Sequence, residues 1–181
     1  LRAAAFVVIA AVSVSVTKKA TRKANLFGWA PIEEVAKLFL GIFLTMAPVL
    51  LMLKSGLDGA FAPLVRLVTD DAGQPVDAMY FWLSGALSSF LDNAPTYLVF
   101  FNLAGGEPEA LMTTLAPTLL AISCGAVFMG ANTYIGNAPN FMVKAIAEES
   151  GVAMPSFFGY IFRYSLPFLI PVFLLATWIF F

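Results

Sequence analysis

The sequence of 181 residues is 60% hydrophobic and 12% charged, with a formal net charge of −1. Soluble domains are roughly 45–50% apolar and about 25% charged, so this composition predicts an all-α, polytopic membrane protein. The absence of histidine excludes His-based acid–base catalysis and His metal sites, and the single cysteine excludes a disulfide framework. No basic patch suggests a nucleic acid partner.

The chain begins with an apolar segment, residues 1–16, that is short for a membrane crossing. It begins at Leu1, so we expect the tail of a transmembrane helix whose start lies upstream in a longer protein. A cleaved or interfacial segment remains an alternative. A signal peptide fits poorly, because the basic residues follow the apolar run. The polar connection, residues 17–34, is predicted to be cytoplasmic because it carries the densest positive cluster, Lys18, Lys19, Arg22 and Lys23.

Residues 35–77 are predicted to form a scaffold-type helix followed by an interfacial segment. Pro31, which is suited to a first helical turn, and the acidic Glu33 and Glu34 mark the start of the helix. Its apolar part, residues 35–53, contains Pro48, which predicts a kink. A short amphipathic helix should follow over residues 61–68, and then a turn rich in Asp and Gly.

The apolar run of residues 78–104 is predicted to fold as a re-entrant helical hairpin. Asp92 is the only formal charge in the run, and Pro95 removes a backbone hydrogen bond nearby. Irregular backbone at membrane depth is tolerated only beside protein or a water-filled cavity, so the hairpin tip predicts a cavity. The alternative is one Pro-kinked helix with Asp92 paired to a neighbour.

A second polar interruption divides the broken helix predicted over residues 111–147. The interruption is residues 130–140, and it shares the sequence Asn-Ala-Pro with the hairpin tip. A last helix is predicted over residues 157–181. Residues 78–181 together form the predicted transport-type unit.

The two interruptions offer groups that bind small ions. Asn and Thr oxygens and free helix carbonyls suit hard cations such as Na⁺, whereas free N–H groups at helix starts suit carboxylates. An intramembrane carboxylate is by default a functional hypothesis, although Asp92 could serve only as a helix N-cap and the amides only as caps. The candidate ion- or substrate-binding residues are Asp92, Asn93, Thr96, Asn132, Thr133, Asn137, Asn140, Ser88 and Ser89. The predicted helix-breaking residues are Pro95, Gly130, Gly136 and Pro139.

From about residue 25 to residue 181 the chain resembles the C-terminal half of the ion transporter superfamily, closest to bacterial citrate transporters and sodium:proton antiporters. Leu91-Asp92-Asn93-Ala94-Pro95-Thr96 resembles the tip of the second hairpin, and residues 130–133 and 136–140 resemble the unwound helix that follows. The resemblance implies two inverted repeats, of which the first lies in a missing N-terminal half. It also implies alternating access, a Na⁺ or H⁺ gradient and a homodimer in the bacterial inner membrane.

The tip has Asp-Asn where the symporters of the superfamily have Ser-Asn, which favours cation or proton handling. The leading hypothesis is therefore Na⁺/H⁺ antiport, in which Asp92 exchanges a proton for Na⁺. Neutral ligands would be Asn93, Thr96, Asn132 and Asn137, and Na⁺ at Asp92, Asn93 and Asn137 is the only metal expected. The alternative is transport of citrate or another carboxylate coupled to Na⁺ or H⁺.

Two further classes of protein are less consistent with the sequence. A non-catalytic membrane subunit would not need two Asn-rich interruptions at membrane depth. An intramembrane aspartyl protease needs two membrane-embedded Asp residues, and only Asp92 is present here. We therefore expect no enzymatic activity and no cofactor beyond the coupling ion. The expected partners are the lipid bilayer, the N-terminal half, a small ion or carboxylate substrate, and a second copy of the protein.

Overall fold

A computed structural model describes residues 2–25 and 29–181. In these residues the chain is helical, and the only strand-like pairing is an isolated bridge between Thr69 and Pro75. The elements in chain order are α1 (Arg2–Val16), α2 (Lys19–Ala24), α3 (Ala30–Lys54), a 3₁₀ turn (Gly56–Asp58), α4 (Ala62–Val68), α5 (Asp77–Ser88), α6 (Asn93–Leu103), α7 (Pro108–Met112), α8 (Ala116–Phe128), a 3₁₀ turn (Met129–Asn132), α9 (Ala138–Glu149), α10 (Phe157–Tyr160), a π-helix (Ile161–Leu169) and α11 (Ile170–Phe180). The all-α prediction is confirmed.

The chain divides into two compact units, residues 1–44 and residues 45–181. The first contains α1 and α2, and the second contains every element from the 3₁₀ turn Gly56–Asp58 onward. Helix α3 contains the predicted helix 35–53 together with Pro48. Its 25 residues reach about 37 Å at 1.5 Å per residue, which exceeds a hydrocarbon core of about 30 Å.

The segment after α3 forms the short helix and turn that the sequence predicts. Val68, at the end of α4, is fully buried. The Asp70 carboxylate accepts the backbone N–H groups of Ala72 at 2.9 Å and Gln74 at 2.7 Å, which closes the turn. The Asp side chain thereby supplies the hydrogen bonds that the backbone lacks at this reversal.

Helices α5 and α6 form a hairpin rather than one kinked helix, because the helix is interrupted over residues 89–92. The rings of Tyr80 and Phe100 meet edge to face at 6.3 Å between centroids, so α6 turns back beside α5. Pro95 was predicted to break the helix. It lies instead in the first turn of α6, where its missing N–H leaves no intrahelical bond unmade.

Helices α5 and α8 pack along their full length and run in the same direction. Thr118 near the start of α8 donates to Asp77 at the start of α5 at 2.6 Å. Towards the other end, Gly125 lies against Phe81 and Ser84. Phe81 and Ile122 are fully buried in the core of the second unit. The two helices therefore end at the same level.

The predicted helix from residue 111 to residue 128 is wrong at its beginning. Helix α7 ends at Met112, and α8 begins only at Ala116. The hydroxyls of Thr113 and Thr114 donate to Glu109 O at 2.7 Å and Ala110 O at 3.3 Å. Such side-chain bonds to the preceding turn compete with the helix, and Pro117 is suited to the first turn of the next one.

The last three elements form one continuous helical stretch, Phe157–Phe180, whose middle part has π-helical hydrogen bonding. Pro167 lies within this π-helix, where the altered register accommodates its missing N–H. Among the described residues this 24-residue stretch is long and apolar enough to cross a membrane, and most of it is exposed. Shorter apolar helices cover Ala3–Val16 and Ala116–Asn132.

Candidate functional site

The two interruptions meet in space, so four helix ends converge in the second unit. Ser88 at the end of α5 donates to Ala126 O near the end of α8. The side-chain amide of Asn93, at the start of α6, is oriented with its nitrogen facing backbone carbonyl oxygens. In the reversed orientation the amide oxygen would face those oxygens, and no hydrogen bond to them could form. The nitrogen donates to Ala126 O at 2.9 Å and Gly136 O at 3.1 Å. Both interruptions therefore share one hydrogen-bond network.

Ser89 joins the hairpin tip to the 3₁₀ turn after α8. The Ser89 hydroxyl lies 2.9 Å from Gly85 O and 3.0 Å from Met129 O. It has one proton, so it donates to one of these two carbonyls at a time. It accepts a hydrogen bond from Asn132 Nδ2 at 3.1 Å. Thr133 donates in turn to Ser89 O. The last carbonyls of α5 and α8 are therefore satisfied by side chains from the opposite interruption.

The loop between the turn and α9 is held by its own polar side chains. Thr133 Oγ1 accepts the N–H groups of Ile135 at 3.2 Å and Gly136 at 2.9 Å. Asn140 Nδ2 lies 3.0 Å from Gly130 O and 3.3 Å from Thr133 O. Thr133 and Asn140 were predicted as possible ligands, and here they bind backbone groups.

Gly130 and Gly136 allow the two interruptions to approach each other. A Cβ atom on Gly130 would lie 2.6 Å from the Asn93 side chain and 3.0 Å from Gly136 O. A Cβ atom on Gly136 would lie 2.5 Å from Gly130 O and 2.9 Å from Ser88 O. The two backbone distances at Gly136 leave no room for a side chain, and at Gly130 the Asn93 side chain would have to move. These predicted helix-breaking glycines are therefore required by close packing. Pro139, like Pro95, lies in the first turn of its helix.

A few polar groups near the interruptions bind nothing in the described part of the chain. Asn132 Oδ1 and Thr96 Oγ1 are buried without a hydrogen-bond partner there. Asp92 and Asn137 hold the N-cap positions of α6 and α9, but neither side chain makes a capping bond. Asp92 and Asn137 are half-buried. These four side chains, unlike those of Asn93 and Asn140, each keep a polar atom that has no hydrogen bond to the described residues.

The last helical stretch contributes contacts that sequence reasoning missed, from Tyr160 at the end of α10 and Ser165 in the π-helix. Ser165, which is 1% exposed, donates to Asn132 O at 2.7 Å, and the Tyr160 hydroxyl donates to Ala131 O at 3.2 Å. The Tyr160 ring lies 4.6 Å from the Tyr134 ring. The sequence signal was a serine between aromatic residues in an apolar span, but the π register that directs it inward is not evident from sequence.

The burial pattern of the second unit is inverted relative to a water-soluble protein. The hydroxyls of Ser84, Ser88 and Thr96 are fully buried, whereas Phe168 is 64% and Trp178 84% exposed. An exposed surface of this kind is typical of a membrane or a partner interface. Among the described residues no three His, Cys, Asp or Glu side chains form a metal-binding cluster. Binding at the interruptions would therefore rely on neutral oxygens, Asp92 and helix dipoles.

Interrupted helices whose ends meet in a polar cluster are typical of membrane transport proteins. A family model described as "Putative citrate transport" matches residues 1–181. The chain therefore belongs to this transport family, which is consistent with the resemblance to the ion transporter superfamily. Neither the curated proteins nor the solved structures gave a match.

Proposed function

We propose that this chain forms half of a secondary transporter that moves citrate or a related carboxylate across the bacterial inner membrane, driven by Na⁺ or H⁺. The supporting observation is the convergence of four helix ends in one hydrogen-bonded cluster. Helices α5 and α6 would be the re-entrant hairpin, and a first half would supply an inverted repeat of the same elements. The transport unit, residues 78–181, would move against the scaffold, residues 35–77, in a homodimer.

The starts of α6 and α9 are the parts of the cluster suited to a carboxylate. The first N–H groups of a helix lack intrahelical partners, and the helix dipole adds about half a positive charge there. Neither interruption, residues 88–96 or 130–140, contains Lys or Arg. Helix dipoles alone do not balance a polyvalent anion. A bound cation is therefore expected to enter with the substrate.

The unpartnered oxygens supply ligands for that cation. Asn132 Oδ1 and Thr96 Oγ1 are buried and accept no hydrogen bond from the described residues. A buried oxygen of this kind costs about 1–3 kcal/mol, which a ligand would offset. Neutral oxygens with one carboxylate, Asp92, form a donor set that suits Na⁺.

Na⁺/H⁺ antiport is the second candidate, and Asp92 favours it. Among the described residues the Asp92 carboxylate forms no salt bridge and accepts no hydrogen bond, so its oxygens are not engaged by other protein groups there. A carboxylate that alternates between H⁺ and Na⁺ is the simplest exchanger. In this mechanism no carboxylate substrate is needed.

The full-length protein reconstituted in proteoliposomes distinguishes the two functions. Citrate transport predicts that radiolabelled citrate accumulates when a Na⁺ or H⁺ gradient is imposed. Antiport predicts that an imposed Na⁺ gradient moves protons without citrate. In either case Asp92→Asn should reduce transport at least tenfold, whereas Asp71→Asn in the exposed turn should not. Full activity of the Asp92→Asn protein would contradict the assignment of Asp92 to the ion site.

A further inference from the structure

Two cavities that open on the surface of the first unit share one lining residue, Trp29. One cavity of about 440 Å³ is lined by Trp29 and by a face of helix α1: Ala10, Ala11, Val14 and Ser15. The other, of about 350 Å³, is lined by Trp29 and by three cations of helix α2: Lys19, Arg22 and Lys23. An apolar cavity thus adjoins a cationic one.

We propose that these two cavities bind one anionic phospholipid, with its phosphate among the cations of α2 and an acyl chain along α1. The proposal concerns the first unit alone and does not rest on the proposed transport function. The ligand class follows from the pairing of surfaces, because a phospholipid joins an anionic head to an apolar chain. Trp29 stands at the boundary, where indole rings are favoured in membrane interfaces.

The charge distribution favours an anion in the second cavity. No acidic residue precedes Glu33 in the sequence, and the Glu33 carboxylate is paired with Lys37 at 2.7 Å. In the described residues no ion pair joins Lys19, Arg22 or Lys23. Arg22 Nε is buried and lacks a hydrogen-bond partner there. An arginine fork can bind a phosphate through two parallel hydrogen bonds.

The surroundings favour a lipid over a free phosphate. The side chains of α1 are apolar and exposed, with Phe6 at 72% and Val16 at 76%. Helix α1 ends at Val16, and the basic helix α2 begins three residues later at Lys19. A change from an apolar helix to a polybasic one is typical of the membrane–water boundary, where anionic lipid headgroups concentrate.

Binding of spin-labelled phosphatidylglycerol and phosphatidylcholine to the purified full-length protein in neutral detergent tests the proposal. The labelled phosphatidylglycerol should bind at least tenfold more tightly than phosphatidylcholine. The loss of the charge-assisted hydrogen bonds between the Arg22 guanidinium and the phosphate should weaken phosphatidylglycerol binding about tenfold in Arg22→Gln. Trp29→Ala should weaken it as well. Lys18→Gln is the matched control, because Lys18 is adjacent but does not line the cavity.

Three results would overturn the proposal. Equal binding of the two lipids would exclude recognition of the anionic head. An equal loss in Lys18→Gln and Arg22→Gln would indicate diffuse attraction instead of a site. Displacement of the lipid by inorganic phosphate or glycerol 3-phosphate at the same concentration would indicate a soluble anion. Circular dichroism and thermal melting verify that each variant is folded. Arg22→Lys, which keeps the charge but lacks the planar fork, should bind phosphatidylglycerol more tightly than Arg22→Gln and less tightly than the wild type.

Discussion

Asn93 begins helix α6, and its side chain reaches one carbonyl group in the last turn of helix α8 and another in the loop before α9. The sequence suggested a role in binding an ion, because an amide oxygen is a suitable ligand. In the structure the amide nitrogen donates to Ala126 O and Gly136 O. The same holds for Asn140, whereas Asn132 keeps a buried oxygen without a partner in the described chain. Asn93 and Asn140 therefore have a structural role, whereas Asn132 is the one of the three expected to bind a ligand.

Asn93→Asp should destabilise the protein more at neutral pH than at acidic pH. The substitution is close to isosteric, but an ionised carboxylate would face the carbonyls of Ala126 and Gly136 and donate to neither. A protonated carboxyl can donate one hydrogen bond, so part of the loss should be recovered as the pH falls. Thermal melting of the full-length protein in detergent across pH measures this. Asn25→Asp in an exposed turn is the control and should show no such dependence.

At the scale of elements, helices α5 and α8 form the closest packed pair. Gly125 allows the two helices to come this close, because a Cβ atom there would lie 2.3 Å from both Phe81 O and Ser84 Oγ. Small residues at such a contact let two helix backbones approach, which is how helices associate in membranes. The parallel packing brings both helix ends to the same level and thereby places the two interruptions together.

Gly125→Ala should lower stability by about 1–3 kcal/mol, the usual cost of overpacking a well-filled contact. One of the two atoms it meets is backbone, so relief requires the helices to separate. Gly41→Ala in helix α3 is the control, since no atom of the described residues lies within 4 Å of its added Cβ. It should be neutral or slightly stabilising. A melting temperature for Gly125→Ala equal to the wild-type value would contradict the close packing.

The π-helix Ile161–Leu169 is the second element with a positional role. Its Ser165 hydroxyl bonds Asn132 O, the carbonyl of the residue whose side-chain oxygen has no partner in the described chain. π-Helical segments are frequent at functional sites because the extra residue in the turn redirects side chains. We infer that Ser165 positions Asn132.

Ser165→Ala should impair transport in addition to lowering stability. The lost hydrogen bond should cost about 1–3 kcal/mol because it leaves a buried carbonyl unpaired. Misplacement of Asn132 should raise the substrate or ion concentration needed for half-maximal transport. Ser123→Ala is the matched control, because within the described chain the Ser123 hydroxyl donates to Leu119 O of its own helix, at 2.7 Å, and to no other group. If Ser165 has only a structural role, both variants should differ from the wild-type protein in melting temperature alone. The substrate or ion concentration for half-maximal transport should then be unchanged.

At the scale of the whole molecule, the second unit encloses polar groups and exposes apolar ones. Leu174 and Phe162 are 56% and 67% exposed, whereas Ser88 and Ser165 are buried. An apolar surface of this extent is unfavourable in contact with water, and contact with lipid removes it from water. If the interruptions lie at membrane depth, we expect protein or a water-filled cavity to surround them.

Cysteine accessibility distinguishes a transporter from a packed structural subunit. In a background with Cys124→Ala, cysteines at positions 92 and 137 should react with a charged thiol reagent, because Asp92 and Asn137 are half-buried beside the interruptions. Substrate or Na⁺ should slow the reaction. A cysteine at position 174, on the exposed apolar face of α11, should stay unreactive in the membrane. Exclusion of the reagent from both 92 and 137 would favour a structural subunit.

Much of the secondary structure follows from sequence because its causes are local. The apolar composition predicts helices, and the Asp-Asn-Ala-Pro and Gly-Ala-Asn-Thr stretches predict where they are interrupted. Pro95 and Pro139 were expected to break helices. They begin them instead, because a proline in the first turn leaves no intrahelical bond unmade. The break at residues 113–115 was missed because threonine bonds to the preceding turn are a weak signal.

The sequence by itself therefore determined the helical class, the two interruptions and the polar residues within them. Only the tertiary structure decided which of those residues bind backbone and which remain available. Ser89 and Asn132 are 43 positions apart, and Asn132 and Ser165 are 33 apart. Each hydrogen bond exists because helices α5, α8 and the π-helix pack at a particular register. Local sequence fixes a helix and its ends, whereas the partner of a buried polar group depends on packing between distant segments.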